Sequence, residues 1–155
     1  MPNTSFEILQ VIGVLPVDEG SEIKISVDSF KNHEYISIRK YLKSDTYTGP
    51  TRAGITLTTE MIDKVAQTIN ELPDDITKIE EKELGRFARR KGLNIVLRIS
   101  SYMNAKGLDI RQYQEDSTYT GWTKKGIRLP LEQLKEIKEL FTKTATYFKE
   151  HKENK

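Results

Sequence analysis

The sequence predicts an α+β fold built from two tandem ββββα units. The first observation is a repeat, because TYTGPTRAGITL at residues 46–57 returns as TYTGWTKKGIRL at residues 118–129. Between 38–60 and 110–132, twelve of the 23 aligned positions are identical, and the alignment needs no gap. The second observation is that each half alternates with a period of two before one helical stretch. Gap-free similarity over a unit of this length indicates a duplicated domain rather than a solenoid repeat.

The first unit contains four predicted strands and one helix. Apolar residues alternate with polar ones, and the alternating runs are separated by turn-forming residues. Residues 44–54 are mostly polar and are predicted as a loop. From Thr59 the apolar residues are three or four positions apart, which predicts a helix that ends before Pro73. The predicted strands are residues 6–15, 22–30, 35–42 and 54–58.

The second unit repeats this order and has a longer final helix. Residues 76–90 fit either a strand or a charged helix, and we favour a strand because Gly85 aligns with Gly13. The other strands are predicted at residues 94–102, 107–114 and 126–130. The predicted organisation is a first unit at 1–72, a linker at 73–77 and a second unit at 78–155 with an extended C-terminal helix.

The composition excludes several classes of protein. Hydrophobic residues make up 36% of the chain and charged residues 31%, which is typical of a soluble globular protein. The sequence contains no cysteine, so disulfides, thiolate catalysis and cysteine-ligated zinc are excluded. Neither a membrane span nor a signal-peptide pattern is present, and we expect a cytoplasmic, nucleoid-associated location and no membrane partner. His33 and His151 belong to no catalytic or metal-binding pattern, so we expect no enzyme activity, no cofactor and no metal.

The basic residues are unevenly distributed along the chain. Residues 1–72 carry 7 basic and 10 acidic side chains, whereas residues 73–155 carry 18 basic and 13 acidic ones. The second unit is therefore the better candidate for contact with an anionic partner.

Strand alternation sorts the side chains of each unit onto an apolar face and a polar face. The polar face combines tyrosine and phenylalanine with arginine and lysine. Aromatic rings stack on unpaired bases, at about 1–3 kcal/mol per base, while cations contact the phosphates. The same arginine–tyrosine pairs also occur as cross-strand packing without a ligand, so both interpretations stay open. The sequence contains neither a helix-turn-helix pattern nor a basic helix, the two patterns that would indicate recognition of duplex DNA.

The repeated blocks YISIRKYLKSDTYTGPTRAGITLTTE and LDIRQYQEDSTYTGWTKKGIRLPLEQLKEI resemble the core of a known family. This is the positive cofactor 4 family of transcriptional coactivators that bind single-stranded DNA. Its hallmark is an Ile-Arg-x-Tyr strand, a loop, a basic pair before Gly-Ile-x-Leu, and a helix rich in Glu and Leu. The resemblance implies a curved four-stranded antiparallel sheet with one helix, paired as a homodimer that binds looped-out or antiparallel single strands. Two units in one chain then imply an intramolecular pseudo-dimer, monomeric in solution, with further self-association left open.

The resemblance also implies which residues contact nucleic acid. The family aromatic before the hairpin tip falls on Phe30 and Tyr102, whereas its tryptophan position falls on Leu42 and Gln114. Together with the polar-face assignment it predicts binding of single-stranded DNA with little sequence specificity, in transcription, replication or recombination. The alternatives are a protein-interaction module or an RNA-binding protein of Whirly or Pur type. The predicted binding residues are Phe30, Lys31, Arg39, Tyr41, Arg52, Arg98, Tyr102, Arg111, Tyr113, Lys124, Lys125 and Arg128.

Overall fold

The computed structural model describes residues 6–153, with the side chains of residues 6–150, and contains eight strands and two α-helices in this part. The predicted outer boundaries at residues 1 and 155, and the side chain of His151, lie outside the described part. The strands are β1 (Phe6–Asp18), β2 (Ser21–Phe30), β3 (His33–Lys43), β4 (Thr48–Thr58), β5 (Lys82–Arg90), β6 (Leu93–Tyr102), β7 (Ala105–Glu115) and β8 (Thr120–Pro130). The helices are α1 (Ile62–Asn70) and α2 (Leu134–Glu153).

All eight strands form a single antiparallel sheet in the order β1-β2-β3-β4-β8-β7-β6-β5. The two units meet edge to edge where β4 pairs with β8, and the register there consists of one residue pair, Gly54 with Gly126. We call this junction the seam. The strand order reads the same from either end of the sheet, so a pseudo-twofold axis at the seam relates residues 72 positions apart. The predicted fold of two tandem ββββα units is confirmed.

The strand β4 is longer than the sequence pattern predicted. Residues 48–54 belong to it, so the predicted loop at 44–54 is correct for residues 44–47 and wrong for the rest. The first half of β4 pairs with the end of β3 beyond the core, and its side chains are largely exposed. An apolar alternation is absent there because neither face is buried. The hydroxyl of Tyr47 donates to the carbonyl oxygen of Pro50 at 2.5 Å and anchors the turn between β3 and β4.

The ambiguous segment 76–90 contains a strand, as favoured from the glycine alignment. Residues 82–90 form β5, and a short 3-10 turn precedes it at Ile76–Lys78. The side chain of Asp75 starts that turn by accepting from the backbone N–H of Thr77 at 3.0 Å. The charged segment 82–90 is a strand and not a helix, because its backbone pairs with β6 at the edge of the sheet.

The two helices lie on the apolar face of the sheet and pack across the units. A Cβ at Gly13 of β1 would lie 2.2 Å from the Cδ2 atom of Leu140 on α2, so the second helix sits directly on the first strand. Likewise, α1 lies against β5, where a Cβ at Gly85 would lie 3.7 Å from the Cγ2 atom of Thr68. The aligned glycines therefore mark the places where each helix approaches the outer strand of the other unit. The apolar sides of both units merge into one buried core.

Polar contacts also join the two helices and the linker. The side-chain amide of Asn70 donates to the hydroxyl of Thr142 at 3.1 Å, and the ammonium of Lys138 donates to the carbonyl oxygen of Leu72 at 2.5 Å. Lys138 also pairs with the carboxylate of Asp74 at 2.9 Å. Neither helix, as far as residues 6–153 describe them, is long and apolar enough to cross a membrane.

Candidate nucleic-acid interface

The hairpin tips present the two predicted aromatic residues. Phe30 is 42% exposed and Tyr102 is 68% exposed, each at the end of a strand that turns back through two residues. Both turns have positive φ at their two central residues, which is the backbone geometry of a tight two-residue hairpin. Lys31 in the first turn places its ammonium 5.3 Å from the Phe30 ring centroid. The tips therefore offer exposed rings, with a cation beside one of them.

The polar face of the second unit contains a cluster of stacked side chains, which we call the aromatic cluster and define as Arg86, Arg98, Tyr113 and Trp122. The Tyr113 and Trp122 rings meet edge to face with centroids 5.0 Å apart. The guanidinium of Arg98 lies 4.2 Å from the Trp122 ring and that of Arg86 lies 4.9 Å from the Tyr113 ring. Sequence reasoning missed Arg86 and Trp122. The signal for Trp122 was its position inside the repeated motif, where the first unit has Pro50.

Several arginines of this face are held by the protein itself. The buried carboxylate of Asp109 accepts from Arg98 at 3.4 Å and from Arg111 at 3.2 Å. The guanidinium of Arg128 donates to the hydroxyl and carbonyl oxygens of Ser100 at 2.6 and 2.7 Å, and to the carbonyl oxygen of Ala105 at 2.8 Å. These contacts join the strands of the second unit, and those of Arg111 and Arg128 occupy much of the hydrogen-bonding capacity of the two guanidinium groups.

The first unit carries a different set of groups on its polar face. Lys24 places its ammonium 4.1 Å from the centroid of the Tyr41 ring, and burial raises the pKa of the Tyr41 hydroxyl. Asp28 is buried, accepts from the hydroxyl of Ser26 at 2.7 Å, and has a pKa raised by that burial. Arg39 donates to the carbonyl oxygen of Thr51 at 2.9 Å. This face is therefore less basic than its counterpart in the second unit.

A basic cavity of about 610 Å³ lies at the seam, and we call it the seam groove. Its lining contains no acidic residue. It shares lining residues with a cavity of about 590 Å³ toward Gln114 and with one of about 410 Å³ toward Phe30 and Tyr35, so the three cavities adjoin one another. The cationic residues that line the seam groove are Arg39, Arg52, Arg89, Arg90, Lys124 and Lys125.

Arg89 connects the two units at this groove. From β5 of the second unit its guanidinium donates to the carbonyl oxygen of Thr56 on β4, and to the Thr56 hydroxyl at 2.8 Å. Burial, and then the neighbouring charge of Arg90, lower the pKa of Arg89. Sequence reasoning missed both arginines, although the run Arg-Arg-Lys at residues 89–91 was a visible signal.

The predicted binding residues thus fall into three groups. Four of them line the seam groove: Arg39, Arg52, Lys124 and Lys125. Phe30, Lys31, Tyr41 and Tyr102 lie at hairpin tips or on the sheet outside it, with Phe30 in the adjoining cavity. Arg98, Arg111, Tyr113 and Arg128 form the packed polar face of the second unit. Among residues 6–150, no group of three His, Asp or Glu side chains could hold a metal ion.

The family model described as Transcriptional Coactivator p15 (PC4) matches the chain twice, at residues 17–67 and 90–140. No curated protein matches the chain. The two matches cover corresponding parts of the two units and together span more than half of the chain. The family is a nucleic-acid-binding, non-enzymatic one, and its membership suggests a function of the single-stranded-DNA-binding coactivator type. The chain belongs to the PC4 family and carries two tandem copies of its domain.

Proposed function

We propose that this protein binds single-stranded DNA with little base preference, and that the seam groove holds the sugar-phosphate backbone. The observation that carries the proposal is the accumulation of six cationic side chains around a cavity whose lining has no carboxylate. Like charges are not collected at one place for stability, because their repulsion destabilises the compact state. A polyanion that enters the groove relieves this repulsion and releases counterions.

The groove favours an unpaired strand over a duplex. Its lining residues come from strands and hairpin tips, and no helix projects from it to enter a major groove. The exposed ring of Phe30 and the half-buried ring of Tyr35 line the adjoining cavity, where they offer stacking surfaces. Stacking and phosphate contact together bind any base, which supports low sequence specificity.

Fluorescence anisotropy with oligo-dT, a matched duplex and oligo-U at several salt concentrations tests this proposal. We expect oligo-dT to bind more tightly than duplex, with a slope in log K against log salt of about −0.7 per phosphate neutralised. Tighter binding of oligo-U would assign the groove to RNA instead. Equal and weak binding of all three without a salt slope would overturn the proposal.

Two double variants that remove the same charge from different surfaces test whether DNA binds in the seam groove. Lys124→Ala/Lys125→Ala removes two cations from the seam groove, and we expect affinity for oligo-dT to fall at least tenfold at low salt. Lys135→Ala/Lys143→Ala removes two exposed cations from α2, on the opposite face of the sheet, and serves as the control. Equal losses in the two variants would mean that net charge, and not the groove, determines binding.

A second candidate function, docking of another copy of this chain, is favoured by the outer strand β1. Between Glu7 and Asp18 this strand carries no charge. Its exposed apolar side chains are Phe6, Ile8, Leu9, Val11, Val14 and Val17. The corresponding residues in the second unit are all charged: Lys78, Glu80, Glu81, Glu83, Arg86 and Arg89. A twofold antiparallel pairing of two β1 strands would place uncharged residues opposite one another along 8–17.

Sedimentation over a range of concentrations tests this second candidate. We expect a mass above the 17.9 kDa of one chain at high concentration. The variant Val11→Glu/Val14→Arg, which introduces the residues of β5, should stay at the monomer mass. A wild-type protein that is monomeric at every concentration excludes the second candidate.

A further inference from the structure

We infer that each chain holds one strand of nucleic acid, in the seam groove, and that the pseudo-equivalent position across the seam is closed to a second strand. This inference rests on the proposed function and deepens it. It comes from a comparison of residues 72 positions apart, which the pseudo-twofold axis at the Gly54–Gly126 pair places in equivalent surroundings.

The two outer hairpin tips carry opposite charge. The tip between β5 and β6 reads Arg-Arg-Lys at 89–91, and both of its arginines line the seam groove. The equivalent tip between β1 and β2 reads Val-Asp-Glu at 17–19. The cavity at that tip, of about 200 Å³, is lined by the carboxylates of Asp18, Glu19 and Glu22, with Lys43 as its only cation. Phosphates are attracted to the first tip and repelled by the second.

The strands at the seam also differ between the two positions. Lys125 lines the seam groove, whereas its equivalent across the axis is Ala53. Thr56 is the anchor for Arg89 on the groove side. Its equivalent is Arg128, whose donors are directed to the hairpin between β6 and β7 instead. The groove side therefore has Lys125 and the anchored Arg89, whereas the cations across the axis are Arg128, which is bound within its own unit, and Lys40, the equivalent of Gln112.

The central arginines of the two units are also unequal. Arg111 is neutralised by the buried carboxylate of Asp109 at 3.2 Å. The residue equivalent to Asp109 in the first unit is Ser37, and Arg39 makes no ion pair among the described residues. Arg39 lines the seam groove and has the buried carboxylate of Asp28 as an electrostatic neighbour, without a direct ion pair among the described residues. The buried acid thus lies on β2 in the first unit and on β7 in the second, and only Arg111 is held by it in a direct ion pair.

Titration with short labelled oligo-dT, about 12 nucleotides long, at protein concentrations far above the dissociation constant tests the inference. Sedimentation of the same mixtures gives the mass of the complex. We expect saturation at one oligonucleotide per chain. Saturation at two per chain overturns this inference and leaves the proposed function intact, whereas no binding to the wild-type protein overturns both.

Charge-reversal variants show by their affinity for oligo-dT which surface holds the strand, which the stoichiometry alone does not show. Arg90→Asp/Lys91→Glu gives the basic tip the residues of the acidic one, and we expect at least tenfold weaker binding at 0.1 M salt. Lys135→Glu/Lys143→Glu on α2 makes the same change in net charge, and we expect less than a threefold effect. Thermal melts of both variants establish that they are folded. Similar weakening by both variants overturns the assignment of the strand to the seam groove.

Discussion

The substitution Asp109→Asn separates a structural role of Arg98 and Arg111 from a binding role. Asp109 is 3% exposed, and its carboxylate accepts from both guanidinium groups at 3.2–3.4 Å. Asparagine has nearly the same shape and keeps one acceptor oxygen, but it removes the charge and turns an amide donor toward an arginine. The fold should therefore weaken while the two arginines lose their internal partner.

The expected loss of stability follows from the geometry of these contacts. Removing one partner of a fully buried ion pair costs about 3–5 kcal/mol. Here the side chains of Arg98 and Arg111 are 34% and 26% exposed, so water replaces part of the lost interaction. The donor–acceptor distances of 3.2–3.4 Å are also longer than those of strong charge-assisted bonds. We expect the free energy of unfolding to fall by about 1.5–2.5 kcal/mol, which lies above the net worth of one ordinary hydrogen bond.

Urea unfolding monitored by circular dichroism measures this change. With an m-value of about 2 kcal/mol/M, the midpoint should fall by about 1 M. Asp45→Asn makes the same change in charge on an exposed turn and should stay within about 0.5 kcal/mol of wild type. Affinity for oligo-dT should stay equal or rise, because two arginines are released on a polar face. An unchanged midpoint together with weaker DNA binding would refute the reasoning.

Three further substitutions test the seam and the buried acid of the first unit. A Cβ at Gly54 would lie 2.8 Å from the backbone carbonyl oxygen of Ile38, whereas one at Gly126 would meet the guanidinium of Arg111, a side-chain end that can shift more readily than backbone, at 2.6 Å. Gly54→Ala should therefore cost about 2–3 kcal/mol and Gly126→Ala less, and equal losses in thermal melts would contradict this. Burial raises the pKa of Asp28 above 3.8, so its charge destabilises the folded state at neutral pH. Asp28→Asn should raise the free energy of unfolding at pH 7, and this advantage should shrink as pH falls through the raised pKa toward 3.8. An advantage that does not change between pH 7 and pH 4 in urea unfolding would contradict the cause given for the shift.

The fold was predictable because the sequence patterns that indicate it are local and occur in both copies. Alternation with a period of two, followed by a helical spacing, identifies each unit, and the copy at a constant offset removes the ambiguity of a single pattern. The alignment of Gly13 with Gly85 indicated a strand where local propensity favoured a helix. The structure gives the physical reason, since both positions admit a helix from the other unit. The first half of β4 was missed because it is paired but not buried, so it leaves no apolar pattern.

The candidate site was less predictable because it depends on contacts between distant segments. Arg39, Arg52, Lys124 and Lys125 stand in or beside the repeated motif and could be found there. Arg89 joins them only because β5 lies along α1 and reaches the end of β4, which no sequence pattern specifies. Trp122 was visible as a difference between the copies, but its partners become apparent only when β7 and β8 are paired.

The unequal hairpin tips have a consequence for why the two units share one chain. In a homodimer, any substitution at the tip appears on both sides of the twofold axis, so a basic tip on one side and an acidic tip on the other are incompatible. Covalent joining removes this constraint, because residues 17–19 and 89–91 are encoded separately. The positions that serve the shared core, such as Ile55 and Ile127, stay identical and buried in both copies. Divergence is concentrated at the outer hairpin tips and the outer strands, where it changes charge and exposure without disturbing the packing. A duplicated domain can in this way keep the fold of a symmetric dimer while its binding surface becomes asymmetric.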